Sequence, residues 1–106
     1  MIITSNLIRY PYDAITAWPF IFIRPNCKND TALIAHEMVH YRDMAWVTPF
    51  WWLRYAMSSS FRWAQEVEAY RVQIALGGIT APQAAELLCT YGTGHSLEQA
   101  LEALNR

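Results

Sequence analysis

The segment His36-Glu-Met-Val-His40 places two imidazoles four positions apart, with a carboxylate between them. On a helix with about 3.6 residues per turn, positions four apart lie on the same face, so both rings can reach one metal ion at about 2.0–2.1 Å. Glu37 lies too far around the helix axis to be a third ligand, but it can hydrogen-bond a water molecule beside that metal. If this segment is helical, it predicts a zinc site with its own general base.

The residues around this motif favour a buried helix. Residues 31–44 contain neither Gly nor Pro, and Asn29, Asp30 or Thr31 can supply an N-cap oxygen. Apolar side chains occupy most of the circumference of this helix, which is typical of a helix inside a protein. Two histidines that face an interior need a partner, because unpaired polar groups are costly there. A bound zinc ion would be such a partner.

A second predicted helix carries a candidate third ligand. It begins at Ser59 or Ser60, ends at Leu76 before two consecutive glycines, and contains Glu66. The alternative is that Glu66 is an ordinary solvated charge that forms a weak i,i+4 ion pair with Arg62. The residues of this helix, taken alone, favour the solvated charge.

Together the two segments resemble the gluzincins, zinc peptidases whose third ligand is a glutamate on the helix after the HExxH helix. That glutamate often opens a Glu-x-x-Ala-Asp motif, and this chain has Glu66-Val-Glu-Ala-Tyr70. The resemblance implies that Glu66 is a zinc ligand and that Glu68 is not. The chain departs from the pattern at Tyr70, where many relatives have an Asp that orients a zinc histidine. Asp43, one turn after His40, is the candidate substitute.

The resemblance covers residues 30–76 and extends to very small metallopeptidase-like proteins of bacterial and phage genomes. In those proteins an Arg-Tyr…Ser-Phe-Arg…Glu-x-Glu-Ala-Tyr run follows the zinc helix, and Arg54-Tyr55 and Ser60-Phe61-Arg62 fit it here. The resemblance implies a minimal zincin-like domain with zinc as the cofactor and water at the fourth zinc position.

The segments on either side of the two helices predict a small sheet and a helical hairpin. Residues 20–24 read as a strand between two prolines, with residues 2–4 or 7–10 as possible partners. In zincins a strand in this place forms the upper rim of the cleft, and its free edge can bind an extended peptide. Two capping boxes, at Thr80 and Ser96, begin the C-terminal helices. We therefore expect a mostly helical α+β fold, with residues 1–106 forming a single domain and the sheet packed on the zinc-binding helix.

Composition and charge exclude several function classes. The chain is 54% hydrophobic, which argues against disorder, and its net charge of −1 without a basic run argues against nucleic-acid binding. Residues 45–57 are aromatic but include Pro49 and Arg54, so we expect no stable membrane insertion. Within that segment we expect Trp51 and Trp52 to pack under the zinc site, with a surface role as the alternative.

Two cysteines are too few for a disulfide framework. We expect Cys27 and Cys89 to be reduced thiols in a cytoplasmic protein of a bacterium or a phage-infected cell. The sequence alone also allows a single disulfide between them. The first residues lack the long apolar core of a signal peptide.

The function that these features predict is zinc-dependent hydrolysis of a peptide or protein substrate. In this hypothesis Glu37 takes a proton from water and delivers it to the leaving amine. Three residues compete as stabilisers of the oxyanion, namely Tyr41, Tyr70 and His95.

Two other classes of function remain open. One is a zinc-stabilised binding or regulatory module without turnover. The other is a phage-host interaction protein that uses an aromatic surface, and it requires Trp51 or Trp52 to be exposed. Oligomeric state does not follow from the sequence.

Overall fold

A computed structural model describes residues 1–8 and 12–106 of the chain. Within these residues, five α-helices follow a small three-stranded sheet. The predicted mostly helical α+β fold is therefore confirmed.

The sheet consists of β1 (Ile2–Thr4), β2 (Ala14–Ala17) and β3 (Phe20–Ile23), in the order β1-β3-β2. β1 pairs parallel to β3, while β2 and β3 form an antiparallel hairpin. The strand expected at residues 20–24 is thus present, and residues 2–4 are its partner. The alternative partner, residues 7–10, includes positions 9 and 10, which lie outside the described residues. The prediction that this strand has a free edge is wrong, because β3 is paired on both sides.

Helix α1 (Thr31–Met44) has the bounds that the sequence predicts. It begins there because the Asp30 carboxylate accepts a hydrogen bond from the Leu33 amide at 3.0 Å, which satisfies one of the unpaired donors at the helix start. One side of α1 packs against β2 and β3, and the other packs against α3 (Ser59–Ala75). The helix that carries both histidines therefore lies between the sheet and the remaining helices.

The aromatic segment between α1 and α3 is itself a helix, α2 (Thr48–Met57). Pro49 does not prevent this, because it lies in the first turn, where a backbone N–H has no helical partner to lose. α3 then begins with Ser58 as its N-cap, which accepts from the Phe61 amide at 3.2 Å. No helix among the described residues combines the length and apolar character needed to cross a bilayer.

The C-terminal hairpin consists of α4 (Ala81–Leu88) and α5 (Leu97–Leu104). Both predicted capping boxes are present, with Thr80 and Ser96 as the N-caps. The two helices bury small and aliphatic side chains against Tyr70 of α3. Cys27 and Cys89 are unpaired thiols in this structure, so no bridge joins them.

Candidate metal centre

Three buried side chains meet where α1 packs on α3. His36 and His40 come from α1 and Glu66 comes from α3, and one ligand atom from each lies within 4.8 Å of the others. All three residues are at most 5% exposed. Helical spacing brings the histidines together, and the packing of α3 adds the carboxylate. These residues lie close enough to bind a metal ion.

The two distances from Glu66 to the histidines are compatible with a shared small ion. Glu66 Oε1 lies 3.3 Å from His36 Nε2 and 3.3 Å from His40 Nε2. Four ligands at about 2.0–2.1 Å from a tetrahedral ion are about 3.3 Å from one another. Two imidazoles and a carboxylate form a donor set that zinc shares with other divalent transition metals.

His40 is oriented by a hydrogen-bonded chain on its far side. Its Nδ1 lies 3.2 Å from Gln65 Oε1, and the amide nitrogen of Gln65 donates to Asp43 Oδ2 at 2.9 Å. Because an amide oxygen only accepts, Nδ1 carries the proton and Nε2 is left to bind a metal. Asp43 therefore acts on the histidine through Gln65, rather than directly as its sequence position suggested.

Tyr55 holds the carboxylate of Glu66, a contact that the sequence did not reveal. The Tyr55 hydroxyl donates to Glu66 Oε2 at 2.8 Å, which leaves Oε1 directed at the two histidines. The alternative ion pair between Arg62 and Glu66 is wrong. Arg62 instead donates to four backbone carbonyls, those of residues 55, 56, 91 and 92.

The surroundings of His36 differ from those of His40. The His36 ring packs edge-on against Tyr70, with the ring centroids 4.3 Å apart. The buried Nδ1 of His36 has no hydrogen-bond partner in the described structure. The Tyr70 hydroxyl is hydrogen-bonded to the Tyr91 hydroxyl at 3.0 Å. Tyr70 thus supports the imidazole by packing, and its hydroxyl contacts Tyr91.

Glu37 lies beside the cluster without joining it. Its Oε2 is 3.5 Å from His36 Nε2, and its Oε1 accepts a hydrogen bond from the Thr16 hydroxyl at 3.0 Å. Thr16 is a buried residue of β2, and its hydroxyl is also 3.2 Å from the backbone oxygen of Glu37. The sequence did not predict this strand, so it did not reveal the partner of Glu37.

The two buried carboxylates have pKa values that move in opposite directions. Burial raises the pKa of Glu37 above its ordinary value, and the neighbouring histidines only partly offset this. Burial also acts to raise the pKa of Glu66, but His40 and His36 outweigh it and hold that pKa below the ordinary value. For His40 burial is opposed by the Glu66 carboxylate, which raises its pKa to about 9. One carboxylate therefore suits a ligand and the other a proton acceptor.

Two cavities meet at this centre. One has a volume of about 690 Å³ and is mostly apolar, with the hairpin residues Ile15 and Phe22 and the α2 residues Trp51 and Trp52 in its lining. The other, about 490 Å³, is more polar and extends toward α4. Their linings share six residues: Tyr12, Ala14, His36, Glu37, Thr90 and Tyr91. Among these six residues, Tyr12 is hydrogen-bonded to Thr90 at 2.8 Å and packs against Tyr91 with ring centroids 5.3 Å apart, so the two cavities are neighbours with a shared wall.

Trp51 packs under the site as expected. It is 5% exposed, stacks on Tyr55 with centroids 4.9 Å apart, and meets the His40 ring edge-on at 5.6 Å. The alternative surface role for Trp51 is therefore wrong. Trp52 is half-buried and packs edge-on against Trp51.

Two residues predicted as oxyanion stabilisers lie elsewhere. His95 stacks on Trp63 with ring centroids 3.7 Å apart, and Tyr41 packs against Trp18 at 6.4 Å. Neither residue lines either cavity at the centre. Tyr91, which the sequence analysis did not consider, lines both cavities and contacts Tyr70.

Comparison of the chain with protein-family models, with curated proteins and with solved structures gave no match. The interpretation of this centre therefore depends on its own geometry and on the motifs of the sequence.

Proposed function

We propose that the protein is a zinc-dependent peptidase with His36, His40 and Glu66 as the zinc ligands. The observation that carries this proposal is the position of Glu37. It lies next to the His36 ligand atom, yet Thr16 hydrogen-bonds it and it is not part of the cluster of three. A centre that only stabilises the fold has no use for a buried carboxylate in that place. The resemblance of residues 30–76 to the gluzincins supports the same assignment.

A bound zinc ion would act as a Lewis acid that polarises the scissile carbonyl and lowers the pKa of water. Glu37 accepts the proton of the attacking water and passes it to the leaving amine. The raised pKa of Glu37 suits the second of these steps, because a carboxyl with a higher pKa holds the proton until the amine takes it. Tyr55 and Gln65 keep Glu66 and His40 in place.

The residue that stabilises the oxyanion belongs to the tyrosine pair at the centre. Tyr41 and His95 line neither cavity, whereas Tyr91 lines both and its hydroxyl is hydrogen-bonded to that of Tyr70. Burial raises the pKa of both phenols, so each keeps its proton and can act as a donor. We assign the donation to Tyr91, with Tyr70 positioning it.

An extended substrate fits along β2 rather than along β3. In the described part of the chain β2 is paired on one side only, and it carries Thr16, the partner of Glu37. A peptide that adds to this edge would gain main-chain hydrogen bonds to the strand that holds Glu37. This arrangement supports cleavage within an extended peptide.

The test of this proposal compares the parent protein with Glu37→Gln after both are loaded with zinc. Cleavage of a broad peptide library is followed by mass spectrometry, and zinc content is measured on the same samples. We expect one zinc per chain in both proteins and cleavage by the parent alone. Glu68→Gln is the matched control, because Glu68 is exposed and pairs with Arg42 outside the centre. Unchanged turnover in Glu37→Gln refutes the mechanism, and absence of turnover in the parent favours a zinc-stabilised module.

A second candidate function, interaction through an aromatic surface, is favoured by the outer face of α2 and the turn before it. Trp46 and Phe50 are 85% and 74% exposed, and Leu53 and Met57 continue the same stripe. The test is iodide quenching of tryptophan fluorescence, in which Trp46→Ser removes the most exposed tryptophan and should lower the quenchable fraction. A partner of this surface should then bind the parent but not Trp46→Ser.

A further inference from the structure

We propose that the polar cavity beside His36 binds a positively charged nitrogen group of the substrate. This group is either a Lys or Arg side chain or the free α-ammonium group of the peptide. The apolar cavity then receives an apolar side chain on the other side of the scissile bond. The inference rests on the proposed peptidase function and names the class of substrate that the centre would select.

The charge of the polar cavity is the first observation. Its lining includes the carboxylates of Asp13, Asp30, Glu37 and Glu86, and no Lys or Arg from residues 1–8 or 12–106 contributes to it. Asp13 is 3.6 Å from the Arg24 guanidinium and is itself half-exposed, so that pairing is weak. Asp30 uses one oxygen to cap α1, and the other oxygen has no such role. Asp13 and Glu86 are exposed to solvent and Glu37 is buried, so a cation that enters this cavity meets carboxylates and none of the described basic side chains.

A buried acceptor without a donor is the second observation, and it is independent of the carboxylates. Gln73 lines the same cavity, is 6% exposed, and its Oε1 has no hydrogen-bond partner in the described structure. An amide oxygen can only accept, so the missing partner is a donor. Ammonium and guanidinium groups donate and do not accept, which matches both the orphan oxygen and the carboxylates.

The other cavity has the opposite character. Apart from the metal-centre residues, its charged group is Arg62, whose guanidinium already donates to four backbone carbonyls. Its walls are largely aliphatic and aromatic, among them Ile15, Met44 and Trp51. His36 and Glu37 line both cavities. In this proposal a peptide bound beside these two residues places a cationic group in the polar cavity and an apolar group in the other.

The test uses hydroxamates, which anchor on an accessible zinc ion whether or not the protein cleaves peptides. Calorimetry on the zinc-loaded protein compares N-acetyl-arginine hydroxamate with N-acetyl-norleucine hydroxamate. A second pair, alanine hydroxamate and N-acetyl-alanine hydroxamate, separates a free α-ammonium group from a basic side chain. We expect about tenfold tighter binding for the cationic member of one pair, from a charge-assisted hydrogen bond in a partly desolvated site.

Variants make the assignment specific to this cavity. Glu86→Gln and Gln73→Met should each reduce the preference for the cationic compound, and added salt should reduce it in the parent. None of these three changes should alter the affinity for the norleucine compound. Glu98→Gln is the matched control, because Glu98 is exposed on α5 and lines neither cavity.

The outcomes separate this inference from the proposed function. If the two compounds of each pair bind with equal affinity, the proposal of a cationic subsite is wrong, whereas the proposal of an open zinc centre is unaffected. A preference that survives both Glu86→Gln and Gln73→Met also overturns it, because the cation is then held elsewhere. If none of the four compounds binds the zinc-loaded protein, the metal is closed to ligands and both proposals fail.

Discussion

The hydroxyl of Thr16 lies 3.0 Å from Oε1 of Glu37, so an edge strand of the sheet holds the carboxylate beside His36 of the candidate metal centre. Thr16 is 2% exposed, and water does not readily replace its hydroxyl. The sheet therefore does more than cover α1, because β2 fixes the side chain on which the proposed chemistry depends.

Replacement of Thr16 by Val tests this relationship. The two side chains are similar in size, but Val removes the donor and releases Glu37 from its position. We expect zinc affinity to be retained and kcat to fall about tenfold or more, as for loss of one hydrogen bond to a charged group. Thr16→Ser should restore most of the activity, while Thr4→Val on exposed β1 is the control. Full activity in Thr16→Val would contradict the role assigned to the hydroxyl.

The contact between Tyr55 and Glu66 predicts a loss of metal affinity without a loss of fold. Tyr55→Phe keeps the ring stacked on Trp51 but removes the 2.8 Å hydrogen bond to Glu66. Partners of this kind commonly contribute 10- to 100-fold to metal affinity, and we expect about this decrease. Competition with a zinc chelator measures it. Tyr41→Phe, remote from both cavities, should have no effect, and equal affinity in the two variants would exclude the predicted role of Tyr55.

Zinc binding should release protons at neutral pH. Burial opposes a charged His40, but Glu66 outweighs it and raises the pKa of His40 to about 9 in the metal-free protein. Below that pH the imidazole holds a proton that a metal must displace, so affinity should rise with pH up to about 9. Calorimetry at pH 7 in two buffers of different ionisation enthalpy counts the released protons. Identical heats in the two buffers would mean that no proton leaves.

Gly78 should control how closely α1 approaches the end of α3. A Cβ at this position would collide with the side chain of Ala32, which is 4% exposed at the start of α1. We expect Gly78→Ala to lower the free energy of unfolding by about 1–3 kcal/mol through overpacking. It should also weaken zinc binding, because the ligands on α1 and α3 move apart.

Gly94→Ala is the comparison for this variant. Gly94 has a φ of +80° and open space around it, so a side chain there strains the backbone without moving either helix. Zinc affinity should therefore be unchanged in Gly94→Ala. If Gly78→Ala also binds zinc like the parent, the spacing of the two helices does not depend on this glycine.

The parts of the structure that followed from sequence are those set by local chemistry. The bounds of α1 follow from its Asp30 cap and an uninterrupted run of helix formers, and both C-terminal capping boxes are visible as four-residue patterns. The spacing of His36 and His40 is likewise a property of one helix. Glu66 was identified as a partner through a family resemblance, since it lies on a different helix.

The parts that did not follow depend on contacts between distant segments. Two of the four residues of β2 are alanines, which are depleted in strands, so neither this edge strand nor the position of Thr16 was predicted. Tyr55 reaches Glu66 because the aromatic segment forms a helix in spite of Pro49. Tyr41 and His95 were considered because of their chemistry, and packing against Trp18 and Trp63 removes them from the site.

An anomalous-difference map at the zinc absorption edge, from crystals grown with zinc, tests the central claim most directly. We predict one peak bound by His36 Nε2, His40 Nε2 and Glu66 Oε1, with Glu37 outside the coordination sphere and close to a fourth position that no protein atom fills. No peak at this centre, or a fourth protein ligand that closes the sphere, would contradict the assignment of an open catalytic zinc site.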